Sequence, residues 1–264
     1  MSDRPADPVT SHPPAVRFRP FLPVAIVTTL AVTAAVLGPI GARSGVLPDG
    51  ASESIFRGAV PCAVLAVTMA IAAMRRSGRL LTGLAFILLA VGAAVLPARA
   101  WIAAGMSPPI ADVTTDLDNP PRYVAVAKLR VPPANTADYA GDAVARQQRA
   151  SYPELRSLIV TAPPPRVLAL AADTARAEGW TVLAQDIGFG DLGRLEATDR
   201  SFLFGRIDDI VVRIVPHAAG SRVDVRSSAR KDGHDAGRNA TRIRRFLAFL
   251  AERAATEPAG LAAP

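Results

Sequence analysis

The chain has 264 residues, half of them hydrophobic, and its mean hydropathy is positive at +0.25, which points away from an ordinary soluble domain and toward membrane-spanning segments. Its net charge of +7 is dispersed: eight arginines face four acids in residues 1–98, and 22 basic residues face 19 acidic ones beyond. That balance lacks the concentrated basic stripe of an electrostatic nucleic-acid binder, so no nucleic-acid partner is expected.

Residues 1–20 are polar and carry Pro5, Pro8, Pro13 and Pro14, which reads as a disordered tail. Phe21–Ile40 is then twenty residues without a charge, enough to match a hydrocarbon core. Gly58–Met74 and Leu80–Leu96 are two further uncharged runs. The spacing predicts three spans, about 21–40, 57–74 and 80–97, within a membrane region over 21–102. Pro23 and Pro61 are expected in first turns, where a missing N–H costs little. The length of the first run, and the two runs behind it, argue against a cleaved signal peptide. Cys62, the single cysteine, sits in the second run and leaves no intrachain disulfide or cysteine-zinc chemistry.

Short loops set the direction. Arg17 and Arg19 precede the first span, and Arg75, Arg76 and Arg79 crowd the turn between the second and third. Those segments are expected in the cytoplasm, which makes the chain a multi-pass inner-membrane protein with its C-terminal part in the periplasm or outside the cell.

Residues 107–254 read as that exported domain, with 255–264 a flexible tail. Prolines over 107–135 predict an extended arm, with a short strand at Tyr123–Leu129. A short helix is expected over 137–149, and a second after Pro163–Pro165 with Gly179 at its C-terminal cap. Strands follow at 180–186, at 193–199 with an extension through Ser201–Phe204, at 210–215 and at 222–227. The last alternates Val223, Val225 and Ser227 with Arg222, Asp224 and Arg226, the pattern of a half-buried antiparallel strand. A final helix over 236–253 has Asn239, Ile243, Phe246, Leu247 and Leu250 inward and Arg238, Arg242 and Arg245 outward. Helices on one face of an antiparallel sheet make the domain α+β.

The run Ile110-Ala-Asp-Val-Thr-Thr-Asp-Leu-Asp-Asn-Pro-Pro-Arg-Tyr123 resembles the opening of the bacterial domain-of-unknown-function 1499 family (DUF1499). Tyr152-Pro153, Gly179-Trp180, Glu196-Ala197, Phe204 with Asp208-Asp209, Val223-Asp-Val-Arg-Ser227 and Asn239-Ala-Thr-Arg-Ile243 continue the likeness over roughly 110–250. Ala229-Arg230-Lys231 departs from the Ser-Arg that the family tends to carry there. The resemblance implies the domain's extent and N-terminal membrane helices, and brings no activity, cofactor or partner with it.

Polar residues converge between the last strand and the last helix. Arg226, Ser227, Arg230, Asp235 and Asn239 are the candidate ligand-binding set, since a helix N-terminus beside arginines suits an anion. The structural alternative is that Asp235 caps the helix while Arg226 pairs with Asp208 or Asp209. Asp208, Asp209, Glu196 and Asp199 lack any calcium-loop spacing, and no metal or cofactor is expected. Gly188–Gly193 lies between strands, so it reads as a hairpin and not a phosphate loop. No nucleophile elbow or metalloprotease helix occurs. The leading expectation is a noncatalytic envelope protein, in contact with the bilayer, that binds a protein partner or a small anion. The alternatives are a hydrolase using Ser227 or Ser228 with His234, and a structural subunit of a membrane complex.

Overall fold

The computed structural model describes residues 19–132, 134–188, 192–231 and 234–256. Of the expected tails over 1–20 and 255–264, residues 1–18 and 257–264 lie outside the described residues, as does the tip of the Gly188–Gly193 loop, while 255–256 still belong to the last helix. Three helices come first, α1 (Leu22–Ser44), α2 (Asp49–Ser77) and α3 (Leu80–Met106), each long and apolar enough to cross a membrane.

The α2 residues that turn inward are Ser52, Phe56, Ala59, Ala63, Ala66, Ala70 and Ala73, at alternating steps of four and three. That heptad seam is almost all alanine, which suits helices associating where lipid removes the hydrophobic drive and close backbone packing takes over. From α1 the seam meets Val24, Thr28, Ala31, Gly38 and Gly41. At Gly38 a Cβ would lie 2.7 Å from the Ser52 carbonyl oxygen and 2.9 Å from the Phe56 Cβ.

The helices outrun the uncharged windows that signal them. Beginning at Asp49, α2 places Pro61 well inside the helix, not in a first turn, and Pro39 and Pro97 are likewise internal. A charge-free window measures the hydrocarbon crossing, while the helix itself continues through Asp49, which favours the N-terminal dipole, and the Glu53–Arg57 pair one turn apart.

The remainder is an α+β domain. Its strands are β1 (Asp112–Thr114), β2 (Leu158–Val160), β3 (Thr181–Ile187), β4 (Gly193–Arg200), β5 (Ile207–His217) and β6 (Gly220–Ala229). The sheet runs β1-β6-β5-β4-β3, all antiparallel, and β2 shares the β1 edge of β6. Helices α4 (Asp142–Ser151), α5 (Pro164–Ala177) and α6 (Arg238–Thr256) complete it. Leu195, Ala197, Ile210, Val212, Ile214, Val223 and Val225 pack on one face beneath α5 and α6, where Trp180 stacks on Phe246 at 4.9 Å.

The opposite face is covered over β5 and β6. The proline-rich arm crosses it, packing Tyr123 and Val126 on Val211, so β6 is buried on both sides rather than half-buried. Within the arm, 126–129 is a 3₁₀ turn and not a strand. The buried Glu196 carboxylate accepts the amides of Val124 and Val126 and so takes the donors a ladder would need. Ser201–Phe204 does not extend β4 either. The Ser201 N–H donates to the Arg206 carbonyl and its hydroxyl accepts the Arg206 N–H, closing a turn. The first domain helix starts at Asp142, later than its pattern implies, because Asn135 and Thr136 give their carbonyls to Arg130.

Candidate functional site

Consecutive strand residues point to opposite faces, and this divides every polar cluster on the sheet. Asp208 turns toward α6, where it pairs with Arg238 at 3.2 Å and Arg242 at 2.7 Å. Asp209 turns toward the arm and holds Arg130 at 2.8 Å and Arg230 at 2.5 Å. Asp199 joins the α6 side through Arg242 at 2.7 Å, whereas Glu196 works on the arm side. The four carboxylates are thus separated two and two.

The same rule separates the candidate set. Ser227 faces α6, where its hydroxyl donates to Asn239 Oδ1 at 2.7 Å and accepts from Arg242 at 3.1 Å. Arg226 faces the arm and is 1% exposed. Its partner is Asp112, gripped through Nε at 2.9 Å and Nη2 at 2.7 Å, and neither Asp208 nor Asp209. Tyr123 and Tyr139 sandwich the guanidinium at 4.7 and 5.4 Å. Burial pulls the Arg226 pKa down, but Asp112 more than offsets it, so the guanidinium stays above its ordinary value. Burial first, then Asp112, pushes Tyr139 up to about 12.

Asp235 does cap α6: its carboxylate accepts the N–H groups of Gly237 at 2.8 Å and Asn239 at 2.7 Å. Burial raises its pKa despite those two bonds. Gly237 has φ 76°, and a Cβ there would lie 2.8 Å from the Ser107 hydroxyl. Ser228 bonds Tyr123 at 2.9 Å and Arg130 at 2.6 Å, and the His234 ring lies 3.4 Å from the Ser107 carbonyl. Among the described residues, neither Ser227 nor Ser228 hydrogen-bonds His234, and their hydroxyls lie on opposite faces of the sheet.

A larger opening lies elsewhere. Between the ends of α2 and α3 and the β4–β5 loop is a cavity of about 550 Å³. Its walls hold Glu53 and Arg57 from α2, Ala100, Ala103 and Ala104 from α3, the loop from Ser201 to Phe204 with Arg206, and His234, Ala236 and Arg238 before and within α6. The seam is held by an edge-to-face contact of Phe204 with Phe56 at 5.3 Å, by Arg206–Glu53 at 3.1 Å and by Arg43 donating to the Phe202 carbonyl at 2.6 Å. Glu53 also pairs with Arg57.

Sequence reading misses this seam because it joins segments about 150 residues apart. One signal was present: Phe202-Leu-Phe204 is an apolar run in a turn, where solvent would normally select polar residues. Arg242, expected on the outward side of the last helix, instead turns in and is buried, because Asp199 and Asp208 on the sheet beneath supply its counter-charges.

The family model described as "Protein of unknown function (DUF1499)" matches residues 112–250. No curated protein matches the chain significantly. Among solved structures, the X-ray crystal structure of protein CV1439 from Chromobacterium violaceum is 16% identical, with 38% of this chain and 96% of that one covered. Its TM-score of 0.28 is too low to carry any argument.

Proposed function

Because this chain belongs to the DUF1499 family, which brings no activity with it, we propose a function from its own geometry: an anchored envelope protein that binds a small anion at the seam between domain and helices. In this reading the protein sits in a bacterial inner membrane, with its N-terminus in the cytoplasm and its domain outside. Arg75, Arg76 and Arg79 at one end of the bundle support that direction by the positive-inside rule. A phosphatase reporter fused after Pro264 is expected to be active and a fluorescent one dark; the reverse overturns the topology.

The seam cavity carries the binding assignment. Its volume lies within the usual range of ligand sites, and it joins apolar walls to a few convergent charges. Arg226, by contrast, is enclosed and neutralised by Asp112, and supports the fold. Arg230 is less enclosed and lines a second, smaller cavity beside Lys231 and Asp49.

The test is thermal unfolding of full-length protein in a nonionic detergent with a panel of phosphate compounds, both water-soluble and lipid. At least one should raise the melting temperature of wild-type protein and fail to do so for Ala103→Trp, which fills the cavity. No response to any compound, or an equal response in both proteins, overturns the reading.

A further inference from the structure

We infer that a groove between α1 and α3, at the arginine-rich end of the bundle, holds an anionic phospholipid, with its headgroup among the arginines and an acyl chain along the two helices. This groove lies at the opposite end of α2 from the seam cavity, and its occupation requires only that the bundle cross a bilayer. Charge, height and shape carry the assignment.

Arg19 before α1, Arg76 at the end of α2 and Arg79 in the turn to α3 line a groove of about 850 Å³ whose walls hold no acidic residue. Residues 19–106 contain just two carboxylates, Asp49 and Glu53, both at the other end of α2. At ~1.5 Å per residue, that is about 35 Å of helix or more from Arg76. Glu53 is moreover engaged by Arg57 and Arg206, and the domain is joined at that far end too. Among the described residues, then, the three guanidiniums have no counter-charge, whereas Arg130, Arg226 and Arg242 of the domain each meet an aspartate. Helices α1 and α3 both begin here, without a capping side chain or an acid in the first turn, so their dipoles add to the arginines and do not offset them.

Height follows from where the uncharged runs stop. Arg19 stands just ahead of Phe21, Arg76 just beyond Met74, and Arg79 directly before Leu80. The three helix ends are therefore level, and arginines flanking apolar spans mark the depth at which tails give way to headgroups. Phosphate oxygens at that depth suit arginine forks, which are planar and always charged.

Shape selects a lipid over a soluble anion. Phe21 of α1 and Phe86 of α3 stack at 6.0 Å and both line the groove, with Leu22 and Thr82 beside them. Toward the middle of the helices the same faces continue: Ile26 follows Leu22 by four residues and Leu89 follows Thr82 by seven. Ile26 and Leu89 are both more than half exposed, so the groove opens into the apolar surface that acyl chains cover. A soluble phosphate compound meets only the arginines; a phospholipid meets the arginines and the rings together.

The experiment is native mass spectrometry of full-length protein, released from nanodiscs of phosphatidylcholine alone or with one fifth phosphatidylglycerol, with glycerol phosphate offered separately in detergent. Wild-type protein should retain phosphatidylglycerol in preference to phosphatidylcholine and ignore glycerol phosphate. Arg76→Gln, an exposed change at a helix end, is expected to weaken retention about tenfold, the loss of one charge-assisted contact. Arg75→Gln removes the same charge one residue away, outside the groove, and should leave retention as in wild type. Ala103→Trp, which fills the seam cavity, should leave it unchanged as well. Equal losses in Arg75→Gln and Arg76→Gln would mean diffuse attraction and overturn the site. Retention that survives Arg76→Gln intact, or that is lost in Ala103→Trp alone, would take the lipid away from this groove. Wild-type protein that shows no preference between the lipids, or holds glycerol phosphate as tightly, would overturn the lipid assignment itself.

Discussion

Arg226 is the most enclosed arginine among the described residues, and what it does follows from that enclosure. A buried arginine is tolerable only when its charge and donors are met, and Asp112, the Pro121 carbonyl and two tyrosine rings meet them. It therefore ties the start of the arm to the central strand. Arg226→Met should destabilise the protein by about 3–5 kcal/mol, because it strands Asp112 in a nearly closed site. The double variant Arg226→Met/Asp112→Leu should recover most of that loss, and thermal or denaturant unfolding of the four proteins in a double-mutant cycle checks it. Single and double variants that are equally unstable would contradict a paired role.

Asp235 adds a pH effect. Its folded pKa is raised from 3.8, chiefly by burial, so the folded chain holds a proton that the unfolded chain has already released. Stability from this group is present below 3.8 and is lost as pH rises through the higher folded value. Asp235→Asn removes that dependence. The melting temperature of wild-type protein relative to Asp235→Asn should therefore fall as pH increases from about 4 to 7; a rising difference would contradict the buried-cap account.

At the scale of elements, the helical bundle depends on how closely backbones approach. Gly38 leaves no room for a side chain against Ser52 and Phe56. Gly38→Leu should push α1 away from α2 and cost about 1–3 kcal/mol, the usual range for overpacking, read as a lower melting temperature in detergent. A matching substitution at Gly92, where a Cβ meets nothing within 4 Å, should be nearly silent. The elements themselves were largely legible. Uncharged runs located all three long helices, and β-branched runs located β5 and β6, because those signals are local. The three-residue strands β1 and β2 were not, since they are defined only by their shared edge on β6. The 3₁₀ turn at Val126 was missed for a similar reason: a carboxylate 70 residues away dictates it. The polar candidate set is divided between the two faces of the sheet, because adjacent residues such as Arg226 and Ser227 point to opposite sides of one strand.

At the scale of the molecule, the question is whether domain and bundle act as one body. The β4–β5 loop makes the join: Phe204 meets Phe56, Arg206 meets Glu53, and Arg43 meets the Phe202 carbonyl. Of these, the aromatic contact should dominate. Phe56 is 2% exposed, and buried rings contribute far more than ion pairs near solvent. Phe204→Ala removes that contact without touching the sheet or its charge nests, so the domain should remain folded while its hold on the helices loosens. Hydrogen exchange on the full-length protein separates these consequences. Amides of residues 201–206 and of the first turns of α2 should exchange faster, while those of β5 and β6 stay as protected as in wild type. Arg43→Ala should give a smaller effect, confined to the loop. Because the cavity has one wall in each part, Phe204→Ala should also weaken ligand retention although it removes no charge, and Arg57→Gln should weaken it without changing exchange at the loop. If Phe204→Ala left exchange at the seam unchanged, the join would have to reside in the polar contacts, and the order of the two variants would reverse.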